Sequence, residues 1–337
     1  MRWRWQRAAP AVTLLLLAPV VSEVLFGATR LSYLFVLVPQ IMVWGCGALL
    51  IRETVRRWRR GWLGMILLGL ALAAAEEFLI QQTSLAPLVG GNPAQAYGRA
   101  LGVNWVWLLA MLGYETVWVV LIPVQLAELI FWPRRDEPWL SKRGLLFTGI
   151  TFGIGCVVAW YAWTQRARPL VFHAGIYQPP WSHILIALGV VLALVLAAFI
   201  LPAPWQWRRE RAGPAPAPQT VAILAFMLAL PWFALIHIAY GAFPGVPPWV
   251  PMAAGVSWAA LALLAVARWS SRRAWEPGHR LALVSGGMVA SMAAGFGQGP
   301  WRSLDLDGKV VFNALAVLML AVLAGKLVRN SIEQRDG

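Results

Sequence analysis

Glu23, Glu76, Glu77, Glu115 and Glu128 stand inside apolar, membrane-length segments with no lysine or arginine beside them. A carboxylate in hydrocarbon costs on the order of 3 kcal/mol by insertion scales, so such a residue faces a bundle interior or a wet cavity and is a functional candidate by default. Glu76 and Glu77 are adjacent, and neighbours on a helix point about 100° apart. One of the pair can face a cavity while the other accepts a hydrogen bond from a neighbour. Two carboxylates buried side by side do not both stay charged, so at least one is expected to hold a proton at neutral pH. That suits a proton carrier or a general acid.

Depth follows from a rise of about 1.5 Å per residue. Glu23 and Glu76 lie roughly 20 Å from the cytoplasmic face on ascending helices, and Glu115 roughly 18 Å from the outer face on a descending one. Three helices therefore bring Glu23, Glu76, Glu77 and Glu115 to the outer half of the membrane as a substrate- or proton-binding group, with His183 and His237 above them. Glu128 falls near the cytoplasmic end of its helix and reads as solvated by headgroups. His173, His183 and His237 lack ligand spacing, so no metal and no cofactor is assigned. Cys46 and Cys156 both sit in apolar segments, which argues against a disulfide framework.

The elements that must position these groups are helices. The chain has 337 residues, 60% hydrophobic and 12% charged, and a soluble domain carries about twice that charged fraction. Ten apolar stretches of bilayer length occur at roughly 10–27, 32–51, 62–80, 103–131, 144–165, 181–201, 219–241, 249–268, 280–298 and 309–328. The fold class expected is all-α, a polytopic transmembrane helical bundle. The net charge of +14 does not point to nucleic acid, because the basic residues cluster between apolar segments. With both termini in the cytoplasm, only Arg30, Arg99, Arg166, Arg168, Arg302 and Lys309 of the 28 basic residues fall on the outer side. That alternation supports both the count and an orientation in a bacterial cytoplasmic membrane. Tryptophans such as Trp58, Trp62, Trp132 and Trp139 flank cytoplasmic ends and read as an interfacial belt. The basic N-terminus reads as a retained cytoplasmic anchor before the first helix.

Three units are expected: a six-helix bundle over 1–201 carrying the glutamates, a Pro/Arg-rich cytoplasmic linker over 202–218, and a four-helix bundle over 219–337. Gly149-x-x-x-Gly153 and the stripes Gly286/Ala290/Ala294 and Gly287/Ser291/Gly295 predict close helix packing. Pro19, Pro39, Pro123 and Pro231 predict bends, each near a polar residue, as expected for helices that line a cavity. The outer loop from Gln81 through Gly90-Gly-Asn92 to Arg99 reads as a lid, with Arg99 or Arg166 placed to neutralise a glutamate. Arg168, His173, Tyr177 and Gln178 are expected at the same mouth. Asp305-Leu-Asp307-Gly reads as a solvated turn.

Two resemblances follow. Gly47-Ala-Leu-Leu-Ile-Arg-Glu53, Ala75-Glu-Glu77, Tyr97-Gly-Arg-Ala-Leu-Gly-Val-Asn-Trp105 and the run from Pro123 to Phe131 resemble a group of uncharacterised bacterial multi-pass membrane proteins over roughly the first 140 residues. That likeness implies topology. Glu76-Glu77 together with Phe233-Ala-Leu-Ile-His237 is similar to the CAAX-protease and bacteriocin-processing intramembrane family, with Gln81 where that family has arginine. This second likeness implies hydrolysis by Glu76, Glu77 and His237.

Three functions remain open on the sequence. One is a transporter or permease acting on a small molecule or lipid through the glutamates. The second is the intramembrane Glu/His hydrolase. The third is a non-catalytic subunit bound to another membrane protein.

Overall fold

Among the described residues, ten helices are long and apolar enough to cross a bilayer: α1 (Arg7–Val24), α2 (Leu31–Arg57), α3 (Gly61–Ile80), α4 (Trp105–Ile130), α5 (Lys142–Val171), α6 (Trp181–Ile200), α7 (Pro218–Ala239), α8 (Trp249–Ser270), α9 (Pro277–Gln298) and α10 (Ser303–Arg329). The computed structural model describes residues 2–90, 97–201 and 211–336. The middle of the expected lid, 91–96, and most of the expected linker, 202–210, lie outside the described residues. The protein is an all-α helical bundle of multi-pass membrane type. Among the described residues, strand is confined to two short pairs. The first joins β1 (Arg99–Ala100) to β2 (Val103–Asn104) antiparallel around a Leu101-Gly102 turn, where both residues have positive φ.

The helices divide by what they face. α5, α6, α8 and α10 expose rows of Leu, Val, Ile and Phe, as lipid-facing helices do. α1 to α4 and α9 hold most of the buried surface, and α7 lies between. The largest core is aromatic and draws on both sides of the 202–210 gap. Phe26 of the chain just after α1, Tyr114 and Trp118 of α4, and Phe233 of α7 pack with ring centroids 4.9–6.0 Å apart. Tryptophan N–H groups tie this interior together. Trp118 donates to the Gly287 carbonyl at 3.0 Å, and Trp232 to the Ala110 carbonyl at 2.9 Å.

Prolines and glycines set the close approaches. Pro19 has no N–H to bond the carbonyl four residues earlier, that of Leu15. Gly45 of α2 packs directly on that carbonyl, where a Cβ would collide with it. Gly69 of α3 lies against Thr116 of α4, and Gly286 of α9 against the Ala222 backbone of α7. Gly295 abuts the Phe26 carbonyl. The small-residue stripes of α9 therefore do pack helices. Gly149 and Gly153 of α5 do not: nothing lies within 4 Å of where their Cβ atoms would be. Spacing alone did not reveal that this face of α5 looks outward.

Several helices widen into π-helical turns: Val20–Val24, Ile41–Gly45, Glu76–Ile80, Glu115–Leu121 and Tyr161–Val171. A π turn inserts an extra residue into the helical ladder and is frequent at functional sites. Pro19 and Pro39 stand just before the first two, and Pro123 just after the fourth, consistent with the bends expected there.

Candidate functional site

Every one of Glu23, Glu76, Glu77 and Glu115 lies on a π-helical turn, of α1, α3 and α4 respectively. Electrostatic interactions link the four carboxyls in one interior region.

Glu77 is held by a full set of donors on one oxygen. Its Oε2 accepts from Thr83 Oγ1 and Ser84 Oγ, both at 2.6 Å, and from Trp107 Nε1 at 3.1 Å. Thr83 and Ser84 reach it because the chain turns back immediately after α3, with the Ser84 N–H bonded to the Glu77 carbonyl. Trp107 comes from the first turn of α4, which Asn104 caps by accepting from the Trp107 N–H at 3.0 Å. The Glu77 and Glu115 carboxyls lie within hydrogen-bonding reach of each other.

Glu76 has the opposite surroundings. It is 1% exposed, and neither carboxyl oxygen has a hydrogen-bond partner among the described residues. The Trp44 indole of α2 stands beside it, its Nε1 also without a partner in hydrogen-bonding geometry. Glu115 keeps one oxygen, Oε2, unpartnered, and interacts electrostatically with Glu77, Glu76 and Glu23. Glu23 is half-buried. Its Oε2 accepts from Thr29 Oγ1 at 3.2 Å and from Gln40 Nε2 at 3.4 Å, and Gln40 also donates to Thr29 at 2.7 Å. Among the described residues no lysine, arginine or histidine comes within 4.0 Å of any of these four carboxyls. Four acids thus share one apolar interior without a counter-cation. Such an arrangement is compatible with burial only if most of them are neutralised by protons. Among the described residues no three His, Cys, Asp or Glu groups are arranged to hold a metal ion.

Other expected members lie elsewhere. His237 is exposed on α7 near Gly297. His183 approaches the Leu101 carbonyl at 2.9 Å. Neither Arg99 nor Arg166 neutralises a glutamate. Arg99 donates to the carbonyls of Leu85, Ala86 and Gly102, and Arg166 to the Tyr161 hydroxyl. Arg168 is buried in α5 rather than looped out, and donates to the Pro87 carbonyl at 2.9 Å. Arg99 and Arg168 thus pin the segment after Glu77 through its backbone. Tyr177 packs on the small cluster of Leu85, Val103 and Leu108 above it.

Glu128 is not solvated by headgroups. It is 1% exposed and pairs with Arg56 at 2.5 Å and Arg52 at 3.2 Å. The second helix continues through Arg57, so Arg52 is not in a cytoplasmic loop but fully buried. Its guanidinium also meets Glu53 at 2.9 Å, the carbonyls of Arg135 and Glu137, and the Trp139 ring at 3.4 Å. Trp139 is buried here rather than part of an interfacial belt. Glu53 in turn accepts from the backbone N–H groups of Trp139 and Leu140. This network locks the α4–α5 connection to the end of α2. Its only sequence signal was an Arg-Glu pair at a helix end, next to a segment rich in arginine.

Asp305 departs from the solvated turn expected of it, being buried on α10, and Lys309 one turn on is buried as well. Asp305 Oδ1 accepts from the Ser32 N–H at 3.0 Å. Lys309 donates to the carbonyls of Leu25 and Phe26, at 2.9 and 3.1 Å, capping the free carbonyls that follow α1.

No family model, curated protein or solved structure matches this chain.

Proposed function

We propose that this protein is a transporter of a bacterial cytoplasmic membrane, with both termini inside, and that protons move through Glu23, Glu76, Glu77 and Glu115. The observation that carries this reading is the contrast within the cluster. Glu77 is fixed by three donors, while the adjoining Glu76 has only the Trp44 indole beside it, outside hydrogen-bonding geometry, and faces other carboxyls. A group that must gain and lose a proton repeatedly gains nothing from donors that hold one protonation state. A fixed carboxylate beside it makes the exchange sensitive to which neighbour is charged. π-helical turns under all four acids give the local backbone that such a site needs. The hydrolytic alternative requires a base within hydrogen-bond reach of a carboxylate, directly or through one water, and among the described residues no ion pair joins His237 to any of the four acids.

The test is proton movement in sealed liposomes containing the purified protein, followed with an internal pH dye under an imposed gradient. Wild type is expected to collapse the gradient faster than empty liposomes, and Glu76→Gln to abolish the difference. Equal rates for wild type and Glu76→Gln would count against the reading.

A further inference from the structure

A crevice opens at the end of the bundle where α1 passes into α2. It has room for about one water, roughly 10 Å³, and is lined by Thr29, Arg30, Asp305 and Lys309 together with apolar side chains such as Trp301 and Phe312. A space of about that size suits a single water where polar groups reach it. Its polar groups are built in. Asp305 is 2% exposed, with Oδ1 held by the Ser32 N–H and Oδ2 without a partner. Lys309 is 3% exposed and anchored on two carbonyls. Arg30 stacks over the Trp301 ring at 4.7 Å and donates to the Gln298 carbonyl at 3.1 Å.

Thr29 joins this crevice to the acid cluster. It lines the crevice, and its hydroxyl donates to Glu23 Oε2 while accepting from Gln40. Glu23 interacts electrostatically with both Glu76 and Glu115. We infer that the crevice is a single-water port through which protons enter and leave the glutamate cluster, with Thr29 as the relay. This rests on the proton-transport reading above. In the relay a protonated water in the crevice gives a proton to Thr29 Oγ1 as the threonine hydroxyl passes its own proton to Glu23 Oε2. Thr29 ends unchanged, Glu23 gains one proton and the crevice loses one. The unpartnered Asp305 Oδ2 is placed to accept from a water at the mouth.

Two arms test this. In the first, Thr29→Cys protein in liposomes is treated with a membrane-impermeant thiosulfonate added to one face at a time, and the modified residue is located by mass spectrometry. Modification from the face opposite the termini is expected; no modification from that face would overturn the port. In the second, Thr29→Val and Thr29→Ser are compared in the pH-dye assay. Thr29→Val is expected to slow proton movement at least tenfold, and Thr29→Ser, which keeps the hydroxyl, to retain most of it. Wild-type rates in Thr29→Val alongside an inactive Glu76→Gln would overturn the relay and leave the transport reading standing. If wild type moves no protons, the transport reading fails, and the labelling arm alone decides whether the crevice is a water port.

Discussion

Glu76 and Glu77 are consecutive residues of one π-helical turn with different surroundings: three side-chain donors converge on Glu77, and the Trp44 indole alone stands beside Glu76, outside hydrogen-bonding geometry. Their stabilities on substitution should differ accordingly. Glu77→Gln weakens three hydrogen bonds that now end on a charged or shared carboxyl, and bonds to charged groups contribute about 1.5–3 kcal/mol each at most. We expect Glu77→Gln to lower the thermal unfolding midpoint in detergent by several degrees and Glu76→Gln to leave it near wild type. Equal loss in both variants would mean that the donors do not distinguish the two acids.

The Arg52 network makes a second, independent prediction. Removing one member of a buried ion network strands the others, a loss of about 3–5 kcal/mol. Arg52→Ala leaves Glu53 short of a partner, Glu128 dependent on Arg56, and the Arg135 and Glu137 carbonyls unpaired. It should sharply reduce the yield of folded protein. Arg59→Ala, at an exposed turn residue, should not. Size-exclusion recovery after mild heating reads the difference, and equal recovery would show that the network adds nothing to stability.

Glycine contacts separate packing from lipid-facing positions. Gly295→Val forces side-chain atoms into the Phe26 backbone, which has no flexible end to yield, and should impair folding. Gly149→Ala and Gly153→Ala meet open space. They should change stability by no more than about 0.5 kcal/mol, the ordinary surface range. A severe defect from either alanine would place α5 against a partner surface.

The helices were legible because two physical rules act along the chain: hydrocarbon thickness sets segment length, and arginine and lysine collect at one side of each pair of spans. The same reading put Arg52 in a loop and Asp305 in a solvated turn, and both are buried. Charge bias cannot tell a headgroup-facing residue from one folded inward onto carbonyls at a helix end. Depth arithmetic brought Glu23, Glu76, Glu77 and Glu115 to one level, since rise per residue is nearly constant. It could not show that Thr83, Ser84 and Trp107 surround one acid alone. That depends on how tightly the chain turns after α3, and on the Asn104 cap that aims α4. Prolines marked where helices bend, yet the π turn at Glu76–Ile80 has no proline beside it, so nothing in the sequence announced it.

The central claim is that Glu76 is the group that takes up and releases the proton. Infrared difference spectroscopy across a pH jump reads it most directly, through the C=O stretch that only a protonated carboxyl shows. Wild type is expected to give a pH-dependent carboxyl band from an apolar environment. Glu76→Gln should remove that band together with proton movement in liposomes, and Asp136→Asn, at an exposed acid, should leave both intact. A spectrum unchanged by Glu76→Gln would contradict the account.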